Sequence, residues 1–335
     1  MRHPRFLRVP LLGVALLLAV ALLSAACGGD DDDRGASPPA SPSAASGTTP
    51  GGSASAAASV PAPFPVSVTD SGGTTVTFTE PPKRIISYSP GATEVLFAVG
   101  AGSQVVGLDK FSDYPPETST KTRLEYSKPA PEPALALQPD LVIMATRQEG
   151  QVTQFRALGM TVLLLKEPAD LAAVLGQVRA LGKVTGHGAE GERVAAALRQ
   201  RIDAVQKRLA GVTDGPLVFY EVSPELHTAG PETFIGSLLA TAKAKNVAQG
   251  ATTAFPQLSA ETIISSNPAV ILLADGGGSG GQSPATVMAR PGWAGIVAVK
   301  NGRVHVIDSN LFNRPGPRVV DALEQLVGIL YPDLK

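Results

Sequence analysis

The chain has one cysteine in 335 residues, so no disulfide can close within it. It has four histidines, and they share no neighbourhood. His3 falls in the leader, and His187, His227 and His305 sit in three different contexts. No cysteine or carboxylate cluster joins them, so no shell for a bare metal ion is expected. Aromatic residues make up 5% of the chain, with a single tryptophan, which argues against a cleft lined by many rings. Charge of either sign is not in excess: 28 Lys and Arg face 29 Asp and Glu. Without a basic patch, nucleic acid is not an expected partner. The apolar run Val9–Leu23 is shorter than the roughly 20 residues a membrane span needs.

That run nevertheless has a purpose. Arg2, Arg5 and Arg8 precede it and Ser24-Ala25-Ala26 follow it, the layout of an export signal over residues 1–26. Next comes Cys27. The stretch "LLSAAC" resembles a bacterial lipoprotein signal, in which the cysteine is lipidated and becomes the first mature residue. It departs from that pattern in one place, with Ser24 where leucine is usual. Residues 27–63 are Gly, Ser, Ala, Pro and Asp without an apolar period, the composition of a disordered tether. The run Asp30–Asp33 reads as solvated charge.

About 270 residues remain, more than one ordinary domain. Alternating Val, Thr and Phe around Ser71-Gly72-Gly73 predict a hairpin. Strands are expected at 84–88, 104–108, 140–145 and 161–165, with helices at 93–99 and 169–182. Over 186–211, Val194, Leu198, Ile202, Val205 and Leu209 form one apolar stripe, uninterrupted by glycine or proline. That predicts a rigid connecting helix. The pattern then restarts with a strand at 216–222. "TFIGSLLATAKAKNVA" (233–248) echoes "ATEVLFAVGAGSQVVG" (92–107), and "ETIISSNPAVILLA" (261–274) echoes "EPALALQPDLVIMA" (132–145). A strand at 303–307 and a helix at 316–330 close the chain. The expected fold is α/β: two similar lobes with mostly parallel sheets, 64–185 and 212–335, joined by one long rigid helix, with a ligand cleft between them.

Several stretches, "DSGGTTVTFTEPPKRIISYSPGATEVLFAVGAGSQVVGLDKFSDYPPE", "LALQPDLVIMA", "AVKNGRVHVID" and "RPGPRVVDALEQL", resemble substrate-binding proteins of ABC importers for cobalamin and ferric siderophores. The resemblance covers about residues 66–333. It implies an extracytoplasmic, lipid-anchored monomer that captures a corrinoid or ferric siderophore and delivers it to a membrane permease. Any metal arrives already chelated, and no resident cofactor is implied. In this family a glutamate on each lobe docks onto permease arginines. The "TE" glutamate is Glu94, which as a first-turn carboxylate would also gain about 0.3–1 kcal/mol from the helix dipole. Aligning the first echo places Ser237 opposite Glu94, so Glu232, a turn or two earlier, is the substitute in the second lobe.

Contacts in the cleft should come from loops at the carboxyl ends of parallel strands. This selects Tyr88, Tyr114, Arg147 and Tyr220, with Arg314 of "NRPGPR"; the resemblance adds Phe255 of "AFPQLS". A guanidinium suits ligand carboxylates or catecholate oxygens, and an aromatic ring suits a macrocycle face. Tyr220 could equally be core, and Trp293 reads as packing. Two other function classes stay open. Gly277-Gly278-Ser279-Gly280-Gly281 is formally G-x-S-x-G, so an esterase using Ser279 is one, although the required strand–turn–helix context is missing. A lipid-anchored scaffold or sensor without a ligand is the other.

Overall fold

The computed structural model describes residues 64–277 and 280–334. The leader, the tether, Cys27 and Ser279 lie outside the described residues. The chain enters through an antiparallel hairpin, β1 (Val66–Thr69) and β2 (Thr75–Phe78), with Val66 opposite Phe78. Asp70 closes its turn. The carboxylate accepts the Gly72 and Thr74 amides at 3.0 and 2.8 Å and the Arg156 guanidinium at 2.6 Å. Burial raises the Asp70 pKa, but these donors outweigh it and hold the group below its usual range.

The first sheet contains β3 (Ile85–Ser87), β4 (Val105–Asp109), β5 (Thr122–Leu124), β6 (Leu141–Ala145) and β7 (Val162–Leu165). They are all parallel, in the order β5-β4-β3-β6-β7. β3 and β6 are buried throughout, as central strands covered on both faces must be. Four helices, α1 (Pro90–Ala98), α2 (Pro131–Leu135), α3 (Glu149–Ala157) and α4 (Leu171–Val184), belong to this lobe. α1 starts earlier than its apolar run indicates. Ser89 caps it by accepting the Ala92 amide, and Pro90 occupies the first helical position, where no amide is needed.

The connector is α5 (Gly188–Arg208), 21 residues long and ending in a single 3-10 turn. Leu198, Ile202, Val205 and Leu209 of the predicted stripe are buried, and Val194 is partly so. α5 crosses α4 at Gly182 and Gly191; a Cβ on Gly182 would stand 2.9 Å from the Gly191 Cα, so a side chain there would force the helices apart.

The second sheet is β8 (Leu217–Glu221), β9 (Lys245–Asn246), β10 (Val270–Leu273) and β11 (Val304–Val306), parallel in the order β11-β10-β8-β9. Its helices are α6 (Phe234–Thr241), α7 (Ala260–Ser266), α8 (Pro284–Met288), α9 (Val297–Lys300), α10 (Ser309–Phe312) and α11 (Val319–Leu330). The sequence echoes are real structural repeats. α1 joins the neighbours β3 and β4, and α6 joins β8 and β9. Gly100 and Lys243, just past α1 and α6, both take positive φ, 90° and 57°. Gln138 and Asn267, each ahead of a proline, do the same at 46° and 49°.

One buried apolar cluster runs through both lobes, taking in Ile85, Val95, Leu175, Leu198, Val218 and Leu323. Satellite clusters back each sheet, around Tyr88 and Phe155 in the first lobe and around Phe219 and Trp293 in the second. α5 and α11 are therefore part of a shared core, and Arg201 of α5 ties them by ion pairs to Asp321 and Glu324 at 2.5 and 2.7 Å. Among the described residues no helix is long and apolar enough to cross a membrane.

Candidate ligand-binding site

All five strands of the first sheet end on one side, and their loops wall a cavity of about 260 Å³. Phe111 follows β4, Tyr126 follows β5, Arg147 follows β6 and Glu167 follows β7. The opposite wall is the second lobe's 309–315 segment, including Asn313 and Arg314. This is the crevice that a parallel open sheet offers to ligands.

Behind the cavity wall a hydrogen-bonded network of polar groups ties the strand ends together. Asp109, at the end of β4, accepts the Phe111 amide at 2.8 Å and the Ser112 hydroxyl at 2.5 Å. Ser112 continues to Thr93, and Thr93 donates to Ser87, both at 2.9 Å. Arg123 of β5 donates to the carbonyls of Asp109, Ser112 and Thr118 at 3.2, 2.5 and 3.1 Å. Burial pushes the Asp109 pKa up against the pull of Ser112 and Phe111. Gln148 is buried and joins strand ends. It accepts the Ala145 amide at 2.8 Å and donates to the carbonyls of Tyr88 and Tyr126 at 3.3 and 3.4 Å.

In the cavity itself Phe111 and Tyr126 meet edge to face, ring centres 5.1 Å apart. The Arg147 guanidinium lies 5.7 Å from the centre of the Tyr126 ring and forks onto Glu167 at 2.7–3.0 Å. Arg314 crosses between the lobes to Asp113 at 2.5 Å and also donates to Asn310 at 2.6 Å. The cavity thus offers an aromatic corner and two guanidinium groups that are already paired.

Of the residues selected from sequence, the structure brings Arg147 and Arg314 into this cavity. Tyr88 is corrected to core. It is 1% exposed and packs edge-on against Phe155 at 5.9 Å, on the face of the sheet that α3 covers. Tyr220 is also core, with burial raising its pKa; its hydroxyl donates to Asn313 Oδ1 at 2.5 Å and so positions a wall residue from behind. Phe255 is exposed and does not line this cavity; a bridge between His227 and Gln257 fixes its loop. Tyr114 lies on the far side of the interlobe contact. There it lines a second cavity of about 720 Å³ with Phe97, Leu198 and Arg201, and Arg318 covers its ring at 3.8 Å.

Glu94 is the largest departure. Because Ser89 caps α1, Glu94 is the fifth helical residue, past the first turn. It is 4% exposed, and Arg318 donates to it twice, at 2.6 and 3.1 Å. Burial raises its pKa, and Arg318 opposes that rise. It is not an exposed docking carboxylate. Glu232 is exposed, immediately ahead of the α6 cap Thr233.

Sequence reasoning missed Phe111, Asp113, Tyr126, Glu167 and Arg318. Each stands within a few residues of a strand or helix terminus, but β5 is three residues long and reads "TRL", which carries no strand signal. Among the described residues no three His, Cys, Asp or Glu side chains gather to hold a metal ion.

Comparison with known proteins agrees with this geometry. Residues 85–311 match the family model described as periplasmic binding protein. An uncharacterised ABC transporter substrate-binding lipoprotein of Bacillus subtilis, YvrC, is 30% identical over 278 residues, covering 81% of this chain and 87% of that protein. A cobalamin-binding protein of Halobacterium salinarum is 29% identical, over 80% of this chain and 74% of its own. The periplasmic heme-binding protein RhuT of Roseiflexus sp. RS-1 superposes with a TM-score of 0.67 at 28% identity, covering 76% of this chain and 99% of its own. With two α/β lobes, a cleft at the strand ends and a family match across most of both, this chain belongs to the periplasmic binding protein family.

Proposed function

We propose that the chain is the extracytoplasmic receptor of an ABC importer, held to the membrane through lipidated Cys27, and that it captures a chelated-metal macrocycle between its lobes as a monomer. The ligand is read as a corrinoid ahead of a ferric siderophore. The observation that carries this reading is the Phe111–Tyr126 corner at the carboxyl ends of the first sheet, faced by Asn310, Asn313 and Arg314. Aromatic edges and faces suit a macrocycle, and side-chain amides suit its polar rim. The cavity of about 260 Å³ is below the usual range for a drug-sized ligand, roughly 300–1,000 Å³, so the lobes part to admit a macrocycle. The shared core through α5 and α11 supports a small movement.

Docking on the permease moves from Glu94 to a symmetric pair. Glu132 and Glu261 are each the second residue of equivalent helices, α2 and α7, and both are exposed. Paired carboxylates at repeat-related positions guide encounter and register with a basic partner. Hydrolysis through Ser279 has no support from the geometry of the described residues, since His305 stands within β11.

The test is titration of the full chain with cobalamin, cobinamide, haem and ferric siderophores, followed by calorimetry. Saturable one-to-one binding of one class supports the reading. Failure of every probe shifts weight to the scaffold.

A further inference from the structure

Three cations line the strand-end cleft: Arg147, Lys166 and Arg314. Two of them carry built-in counter-charges. Glu167 faces Arg147 with both carboxylate oxygens, and Asp113 meets Arg314 from the other lobe. Lys166 is exposed and has no ion-pair partner among the described residues.

The Arg147–Glu167 pair is about half exposed, with side chains 53% and 41% accessible. Pairs of that kind add little to stability, so stability does not account for its place in the cleft. The geometry also withholds Arg147 from acting as an anion receptor. Its fork, which would grip a carboxylate or catecholate in two-point fashion, is already on Glu167, and its guanidinium sits over Tyr126. Asp113 takes one donor of Arg314 and Asn310 takes another.

We infer that Glu167 and Asp113 are specificity determinants, counter-charges that set the net charge of the ligand the cleft accepts. With two arginines neutralised and one lysine free, the cleft suits a ligand of little net charge with a rim of amides. It disfavours polyanions, whose carboxylates or catecholate oxygens would meet Glu167 at close range and find Arg314 already engaged by Asp113. Placing like charges against a ligand is one way a site rejects a competitor. This inference rests on the reading of the cleft as the ligand site.

The test compares the full chain with Glu167→Gln, which keeps shape and removes charge. Asp113→Asn serves as a second variant should the first fold poorly. Affinities are measured for haem, a ferric tris-catecholate, cobalamin and cobinamide at two salt concentrations. The expected result is a gain of roughly 10-fold or more for the two anionic probes, shrinking at high salt, with the corrinoids changed by less than about 3-fold. Unchanged or weaker binding of the anionic probes by both variants, with a probe still bound by the parent, overturns the counter-charge role and makes the carboxylates supports for their arginines. If neither parent nor variants bind any probe, the ligand-site reading itself falls, and this inference with it.

Discussion

Arg318, at the start of α11, donates two hydrogen bonds to the buried Glu94 of α1, joining one lobe to the other at 2.6 and 3.1 Å. Around this pair the segment 314–318 threads between the two cavities. Gly91 and Gly316 let the backbones meet: a Cβ on Gly91 would fall 2.9 Å from the Pro315 carbonyl oxygen, and one on Gly316 3.0 Å from Glu94 Oε2. Arg314–Asp113 fastens the same segment on the cleft side. The lobes are latched at two points, and opening the cleft works against both.

Removing the Glu94 side chain should therefore cost stability. Glu94→Ala leaves the Arg318 guanidinium, 20% exposed, without either acceptor, and a loss of about 2 kcal/mol is expected, less than for a fully buried pair. Denaturant unfolding measures it, and small-angle scattering should show a slightly larger radius of gyration. A change below roughly 0.5 kcal/mol, in the range of ordinary surface substitutions, would mean the pair is not a latch.

Tyr220 gives a test of the core assignment. Its hydroxyl bonds only Asn313 among the described contacts. Tyr220→Phe should lower stability by about 1 kcal/mol, the ordinary worth of one hydrogen bond, and leave the ring packed. A loss of ligand affinity much larger than the loss of stability would instead return Tyr220 to the direct-contact role.

Acidity gives another. Asp275, after β10, has both carboxylate oxygens buried without a hydrogen-bond partner. Burial, helped by the Glu221 charge, pushes its pKa up to about 6. Arg290 is already engaged with Glu221 at 2.5–2.6 Å and stacks on Trp293 at 4.6 Å. A raised carboxylate pKa means the fold prefers the protonated form. That contribution is full below about pH 4 and is lost as pH rises through about 6. Asp275→Asn should match the parent near pH 4 and exceed it at pH 7.5 by roughly 1 kcal/mol once solvent screening is allowed for. Melting curves across that range decide, and parallel pH profiles would contradict the account.

The proposed docking pair separates binding from delivery. Glu132→Lys with Glu261→Lys should leave ligand affinity unchanged and cut importer-dependent uptake about 10-fold or more, since like charges would now face the permease. Uptake surviving the double reversal would remove both residues from the interface.

The sequence made the fold legible where periodicity was strong. The α5 stripe, the buried strands and both echoes lie where their patterns place them, and even the positive-φ residues Gln138 and Asn267 stand before the prolines that marked the echoes. The site was legible only in outline. Arg147 follows from its place just beyond β6, and Arg314 stood out in "NRPGPR". Tyr88 and Tyr220 fit the same rule but turn into the core, because the side-chain direction at a strand end depends on pleat and on which helix covers that face. Glu94 misled for a different reason: a cap at Ser89 moved the helix start by one turn, and its partner lies 224 residues away. Pairings of that range leave no local signal.

The most direct test of the central claim is calorimetric titration of cobinamide and cobalamin into the full chain and into Tyr126→Ala side by side. Tyr126 forms the aromatic corner with Phe111 and supports Arg147. One-to-one binding by the parent and at least about 10-fold weaker binding by the variant, with its fold intact, are expected. Equal affinities in the two proteins would place the ligand elsewhere and contradict the assignment of this cleft.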